Sequence, residues 1–272
     1  MSLRRYGGVV NMRGQRARIR TQRVKRWDED GNFRGEVKVK IYAIRHGETS
    51  WNKERRLQGQ KGSDLDSEGV LLAKMTAEAL REVKFDLCYT SPLVRARHTA
   101  EIILADRKVP VILEPRIEEI GFGVWEGLCC DADHPEKMQI PLDEYIRFQE
   151  DPLHYIPPEG GERIQDVLER THNFDEELIH NPDLQDKTIL VSSHGCAVRA
   201  FLNNVYDNKE DFWHGGVPMN CSVSIIDVEN GVGRLEASDQ VFYPKKYYHS
   251  FYKHPSDAGD QKEKKKHADE NK

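Results

Sequence analysis

Apolar residues recur with two different periods along the middle of the chain. Residues 37–44, VKVKIYAI, alternate and then close into a continuous apolar run, as a strand entering a covered sheet does. Residues 67–83, SEGVLLAKMTAEALREV, carry apolar positions at helical spacing, with Asp66 or Ser67 placed to cap the first turn. FDLCYT (85–90) reads as a short buried strand, followed by a helix over SPLVRARHTAEIILA with Pro92 in its first turn. VPVILE (109–114) predicts a third strand, and residues 141–150 and 163–181 predict two further helices. TILVSS (188–193) is a continuous apolar strand that leads into the helix AVRAFLNNVY. CSVSIIDV and RLEASDQV, joined across ENGVG, predict a hairpin.

Strands alternating with helices imply a three-layer α/β/α fold with a mostly parallel central sheet, to which the C-terminal hairpin adds antiparallel strands. Ligands of such sheets collect beyond the carboxyl ends of the strands. Four predicted strands end on residues that carry chemistry. The first ends at Arg45-His46-Gly47, and the second at Thr90-Ser91 with Arg95 one turn into the next helix. The third leads to a loop bearing Glu118 and Glu119, and TILVSS ends at His194-Gly195. Each has an ordinary explanation alone: a turn histidine, a solvated helix arginine, two exposed loop glutamates. Their shared station at four strand ends asks for a common one.

Composition narrows the setting. A chain of 272 residues, 38% hydrophobic and 32% charged, suits one large α/β unit. No apolar run approaches the ~18–20 residues of a membrane span. No charged-then-apolar leader opens the chain, so the expected compartment is the cytoplasm. Cysteines 88, 129, 130, 196 and 221 form no CxxC pair, which predicts reduced thiols rather than a disulfide framework or a zinc site.

Charge is distributed unevenly. Residues 1–35 carry +7 and residues 256–272 are neutral, so a net −5 leaves −12 on residues 36–255. A body that acidic argues against nucleic acid as a partner, and a phosphate ligand needs a local basic cluster working against the global field. Residues 1–35 show neither period and read as a basic disordered extension or an over-extended start. An RNA-contacting arm and an Arg-rich transit segment are the alternatives. Residues 256–272 read as a charged disordered tail, leaving 36–255 as the functional domain.

The converging set suits a phosphoryl group. A guanidinium is a fixed fork of donors matched to phosphate oxygens, so Arg45 and Arg95 can clamp two edges, with a protonated His194 as a third positive donor. An imidazole is a competent nucleophile near neutral pH and divides one hard step into two. A loop carboxyl can then protonate the leaving oxygen and activate water. This chemistry asks for positioning and positive charge, and no DxD or HxH spacing argues for a bound metal.

Six segments in order, RHGETSWN (45–52), RLQGQ (56–60), SPLVRARHTAEII (91–103), EEIGFGVWEG (118–127), PPEGGER (157–163) and VSSHGCAVRAFL (191–202), resemble the histidine phosphatase superfamily in its phosphoglycerate-mutase-like branch. The resemblance implies that His46 is the nucleophile and that Arg45, Arg95 and His194 bind the phosphoryl group. It implies Glu119, three residues before Phe122-Gly123, as the acid/base carboxylate. Asn52 would donate to the phosphate with help from Thr49, while Gln58 and Gly59, with Arg56 nearby and Gly195 beyond His194, would line the substrate mouth. No cofactor or metal is implied.

Two departures from the mutases point toward phosphatase members of the family. The Arg/Tyr-rich segment that mutases carry after the carboxylate is here IGFGVWEG, and the span from Glu119 to His194 is shorter. Residues 161–163 read Gly-Glu-Arg where the family has Gly-Glu-Ser. The expected reaction is hydrolysis of a small phosphorylated metabolite by water, with a phosphoglycerate-mutase-type transfer as the alternative. A non-enzymatic binding protein is disfavoured, because no member of the catalytic set is missing. Residues 128–160 are predicted to fold over the mouth as a small cap, with His134, Tyr145, Arg147, His154 and Tyr155 individually expected at the surface. A monomer or a homodimer fits equally.

Overall fold

The computed structural model describes residues 38–248; the basic start and the charged tail, with the readings made for them, lie outside the described residues. Strand β1 (Lys38–Arg45) is followed by the short helix α1 (Ser50–Lys53) and by α2 (Ser67–Ala79). Next come β2 (Leu87–Thr90), α3 (Val94–Leu104) and β3 (Val111–Leu113), then α4 (Leu142–Glu150) and α5 (Ile164–His180). The chain ends with β4 (Lys187–Ser193), α6 (Gly195–Leu202), β5 (Val223–Glu229) and β6 (Val232–Gln240). The sheet runs β3-β2-β4-β1-β5-β6. Its first four members are parallel, while β5 pairs antiparallel with both β1 and β6.

The layers follow from side-chain alternation, which sends successive residues of a strand to opposite faces. Ile41 and Ala43 of β1, Leu87 and Tyr89 of β2, and Ile189 and Val191 of β4 pack with Phe174 and Leu178 of α5 and Phe201 of α6. Ile44, Cys88 and Leu190, their neighbours in sequence, pack with Leu72 of α2 and Ala100, Ile103 and Leu104 of α3 on the other face. A sheet covered on both sides explains why these strands read as near-continuous apolar runs. The hairpin turns on Asn230 and Gly231, both at positive φ (54° and 77°), the mirror-image turn that matches strand twist.

Local details sharpen three expectations. Asp66, not Ser67, caps α2, its carboxylate accepting from Gly69 N at 2.8 Å. Pro92 stands before α3 rather than in its first turn: Leu93 is extended (φ −67°, ψ 134°), so the helix starts at Val94. Helix α6 starts at Gly195, directly behind His194, rather than at Ala197. Among the described residues no helix is long and apolar enough to cross a membrane.

Residues 128–160 hold α4 and short 3-10 turns. Arg147 and His154 are exposed, as is half of the His134 side chain, but Tyr145 and Tyr155 are buried. Their surface placement is therefore corrected. Both rings belong to a third cluster with Phe122, Phe148, Phe212 and Trp213, because a segment this short buries itself only by sending aromatics inward.

Candidate active site

His46 follows the last residue of β1, where its backbone is held on three sides. Its N–H donates to Ser193 O at 2.9 Å, and its carbonyl accepts from Asn220 Nδ2 at 3.0 Å and Cys221 N at 3.3 Å. Gly47 is required by close approach: a Cβ there would stand 2.8 Å from the carbonyl oxygen of Gly69 in α2. Its N–H donates to Thr99 Oγ1 at 2.9 Å, which ties the loop to α3.

The ring of His46 is 2% exposed. Its Nδ1 lies 2.6 Å from the carbonyl of Gly47, which can only accept, so Nδ1 carries the proton and Nε2 carries the lone pair. Burial, with Arg95 and Arg45 nearby, pushes the imidazole well below its ordinary pKa. The ring is therefore a neutral base whose lone pair lies on Nε2.

Two guanidiniums flank it. Arg45 Nη1 donates to the carbonyl of Pro218 at 2.5 Å. Arg95 is 1% exposed, and burial brings its pKa down to about 10. Its Nη2 and Nη1 donate to the carbonyls of Gly59 (2.6 Å) and Lys61 (3.0 Å), and no carboxylate forms an ion pair with it among the described residues.

His194 lies 5.2 Å from His46 between ring centroids. Its Nε2 meets Ser91 Oγ at 2.8 Å, and that oxygen already accepts from Leu93 N at 3.3 Å. Donation from this hydroxyl to Nε2 places the histidine proton on Nδ1, a buried atom with no hydrogen-bond partner among the described residues. Burial and Arg95 hold this ring well below its ordinary pKa. Burial thus works against the charged form expected of His194, and the two arginines in the same low-dielectric space add to it.

Glu119 supplies the carboxylate. Oε1 accepts from Ile120 N (3.0 Å) and Ala197 N (3.1 Å), and Oε2 from Cys196 N (3.3 Å), so the group sits against the start of α6. A Cβ on Gly195 would fall 2.8 Å from Val217 Cγ1, 3.5 Å from Arg45 Nε and 3.6 Å from Glu119 Oε2. Only the Val217 methyl would have to move for a side chain here, and Arg45 and Glu119 stand at ordinary contact distance. Behind the loop, Arg170 donates to the carbonyls of Arg116, Glu118 and Glu119 and pairs with Glu162 at 3.2 Å.

Arg45, His46, Asn52, Gln58, Gly59, Arg95 and Glu119 line one cleft of about 640 Å³, counted to its open mouth. Glu118 is not in its wall, which separates the two adjacent glutamates. Thr49 and His194 are fully buried beside the cleft, the His194 ring next to that of His46. Thr49 caps α1 reciprocally with Asn52, whose Oδ1 accepts from Thr49 N and Oγ1, both at 3.1 Å. With Oδ1 so engaged, Asn52 can meet an anion only through Nδ2.

Several supporting residues escaped the sequence reading. Ser91 was legible as a strand end but not as the partner of His194. Glu126 holds the 58–61 loop, accepting from Gln60 N and Lys61 N at 3.0 Å and from Phe122 N at 3.1 Å. Asn220 and Cys221, the latter at φ 56°, brace His46 from 174 and 175 positions away. No local pattern marks residues so distant. Among the described residues, no group of three or more His, Cys, Asp or Glu is placed to hold a metal ion.

Comparison with known proteins shows the family. The profile of the histidine phosphatase superfamily (branch 1) matches residues 41–240. Phosphoserine phosphatase 1 of Hydrogenobacter thermophilus is 33% identical over 192 residues, 70% of this chain and 87% of its own. The adenosylcobalamin/alpha-ribazole phosphatase of Escherichia coli is 32% identical over 198 residues, 72% of this chain and 94% of its own. A probable phosphoglycerate mutase GpmB of Cronobacter sakazakii is 32% identical over 195 residues, 70% of this chain and 86% of its own. Among solved structures, Bacillus stearothermophilus YhfR superposes with a TM-score of 0.67 at 30% identity, covering 75% of this chain and 98% of that one. The chain belongs to the histidine phosphatase superfamily (branch 1).

Proposed function

We propose that the protein is a metal-independent phosphatase that hydrolyses a phosphomonoester of a small metabolite through a phosphohistidine on His46. The hydrogen bond from His46 Nδ1 to Gly47 carries this reading, since it leaves Nε2 as a neutral nucleophile facing two guanidiniums. The Nε2 lone pair attacks phosphorus, and the bond to the leaving oxygen breaks as Glu119 delivers a proton to it. Arg45, Arg95, the Nδ1–H of His194 and the amide of Asn52 meet the phosphoryl oxygens, where charge accumulates. Glu119, now a carboxylate, takes a proton from water; the oxygen attacks phosphorus, the P–N bond breaks and Nε2 regains its lone pair. Inorganic phosphate leaves.

The test is hydrolysis of p-nitrophenyl phosphate without added metal, together with trapping of an acid-labile, base-stable phosphoenzyme. His46→Ala is expected to abolish both, and turnover surviving that substitution overturns the mechanism. The likeness to a probable phosphoglycerate mutase favours a second reading, transfer between hydroxyls of one metabolite. That reading requires priming by a bisphosphate and little phosphate release, so a release assay run beside an isomerisation assay separates the two.

A further inference from the structure

Beyond the end that holds the phosphate, the cleft changes character. The other lining residues are mainly apolar or aromatic, among them Leu57, Phe122, Tyr145, Phe148 and Trp213. Phe148 is the hub: its ring meets Phe122 at 5.2 Å and Trp213 at 5.3 Å, and its carbonyl accepts from Trp213 Nε1 at 3.2 Å. These aromatics are fixed by one another and form a preorganised apolar surface.

Two further arginines reach this half of the cleft, and both are already paired. Arg55 Nη1 donates to Asp131 Oδ1 at 2.8 Å and to Asp133 Oδ2 at 2.7 Å. Arg56 Nε donates to Glu54 Oε2 at 2.7 Å, and its Nη1 to the Gly127 carbonyl at 2.8 Å. Asp131 also meets His134 Nδ1 at 2.9 Å and lies in the field of Lys137, so the Arg55 cation shares its two carboxylates with other basic groups, while Arg56 has one carboxylate of its own. Arg95, at the phosphate end, instead donates to carbonyl oxygens alone. Arg55 and Arg56 thus enter the cleft wall with carboxylate partners, whereas Arg95 does not.

We infer that the alcohol released from this cleft is uncharged and presents an apolar, aromatic face, and that the pairing of Arg55 with Asp131 and Asp133 disfavours esters bearing a second anion. This rests on the phosphatase reading above. A carboxylate or second phosphate placed there would lose its water against the aromatic wall and would have to compete with two aspartates for Arg55. An aryl or other flat apolar group would lose no hydrogen bonds on entering and would gain ring contacts.

The test compares initial rates of the full chain on 2-phenylethyl phosphate, 3-phosphoglycerate and phosphoserine. All three are esters of alkyl alcohols, so leaving-group acidity does not decide the order. The expected kcat/KM for 2-phenylethyl phosphate is at least about tenfold higher than for either anionic ester. Asp133→Asn, at an exposed carboxylate (side chain 69% exposed), is expected to raise kcat/KM on 3-phosphoglycerate several-fold and to leave 2-phenylethyl phosphate within about twofold. Equal or faster turnover of the anionic esters overturns the inference while the phosphatase reading stands. A preference for 2-phenylethyl phosphate that Asp133→Asn leaves untouched overturns the role of the Arg55 group. Failure of all three esters, with p-nitrophenyl phosphate also inert, removes the phosphatase reading and the inference together.

Discussion

Arg95 in the floor of the cleft and Arg199 in the seam between α6 and β6 are the two largest fully buried side chains among the described residues. Both are cations taken out of water, yet their surroundings differ. Arg199 pairs with Asp239 at 2.8 Å, and its other donors reach Tyr206 Oη at 2.9 Å and the Gly216 carbonyl at 2.8 Å. Arg95 donates to two carbonyls and to no carboxylate, with Glu119, Glu126 and Glu118 acting on it only through space. A buried arginine with its own carboxylate is complete and holds elements together. One satisfied by carbonyls alone keeps a net charge for a ligand to cancel.

The largest expected effect breaks the two arginines apart by activity. Arg95→Gln should lower kcat/KM on p-nitrophenyl phosphate by about a thousandfold, since it removes a charged fork aimed at the transferring group. Its stability should change by only about 1 kcal/mol or less in urea unfolding, because the lost hydrogen bonds are offset by removal of a desolvated cation. Arg199→Met should do the reverse. It strands the Asp239 carboxylate at 4% exposure, which costs about 3–5 kcal/mol, while kcat per folded molecule stays near that of the parent. Adding Asp239→Asn should return part of the stability, because the uncompensated charge is then gone. A large activity loss for Arg199→Met at full folding would merge the two regions into one functional unit.

A smaller effect sharpens the comparison at the partner level. Asp239 neutralises its neighbour, whereas Ser91 only decides which nitrogen of His194 carries the proton. Ser91→Ala should lower kcat about tenfold, about the value of one net hydrogen bond, with KM little changed. The signature of a positioning role is a shift of the His194 ring from one tautomer toward a mixture in 15N NMR spectra. Ser91→Cys, a weak donor, should restore part of both. Unchanged spectra with lowered kcat would assign Ser91 to packing instead.

Much of this arrangement was legible in the chain, and the boundary is physical. Periodicity located the described strands because a doubly covered sheet makes them apolar throughout, and strand ends then placed His46, Arg95, Glu119 and His194 together. Family spacing separated Glu119 from Glu118, as the cleft wall also does. Partners set by tertiary contact left no trace. Asn220 and Glu126 act on backbone groups far away in sequence, and the inward turn of Tyr145 and Tyr155 depends on Phe148 and Trp213, which belong to different segments. The neutral state of His194 also required burial to be known, since in sequence the residue is only a histidine near arginines.

The smallest effect at neutral pH lies in stability, and it separates the two regions by their fields. His46 and His194 are held below their ordinary value of 6.5 by burial first and by Arg95 second, while Asp239 cancels the field of Arg199. In the window below 6.5 and above the depressed native values, the unfolded chain binds protons that the native chain refuses. Stability from these groups is therefore fully present above 6.5 and declines as pH falls. Asp175, whose carboxyl is raised to about 6 by burial, acts with the opposite sign at lower pH, so the total slope is a mixture. The difference between the parent and His46→Ala isolates one proton. The parent should lose stability more steeply than that variant by about 1.4 kcal/mol per pH unit below 6.5, and the two slopes should be equal above it. Urea unfolding from about pH 5 to pH 8 reads this directly. Equal slopes throughout would mean that His46 takes up its proton in the native state as readily as in water, and that the charge left on Arg95 does not reach it.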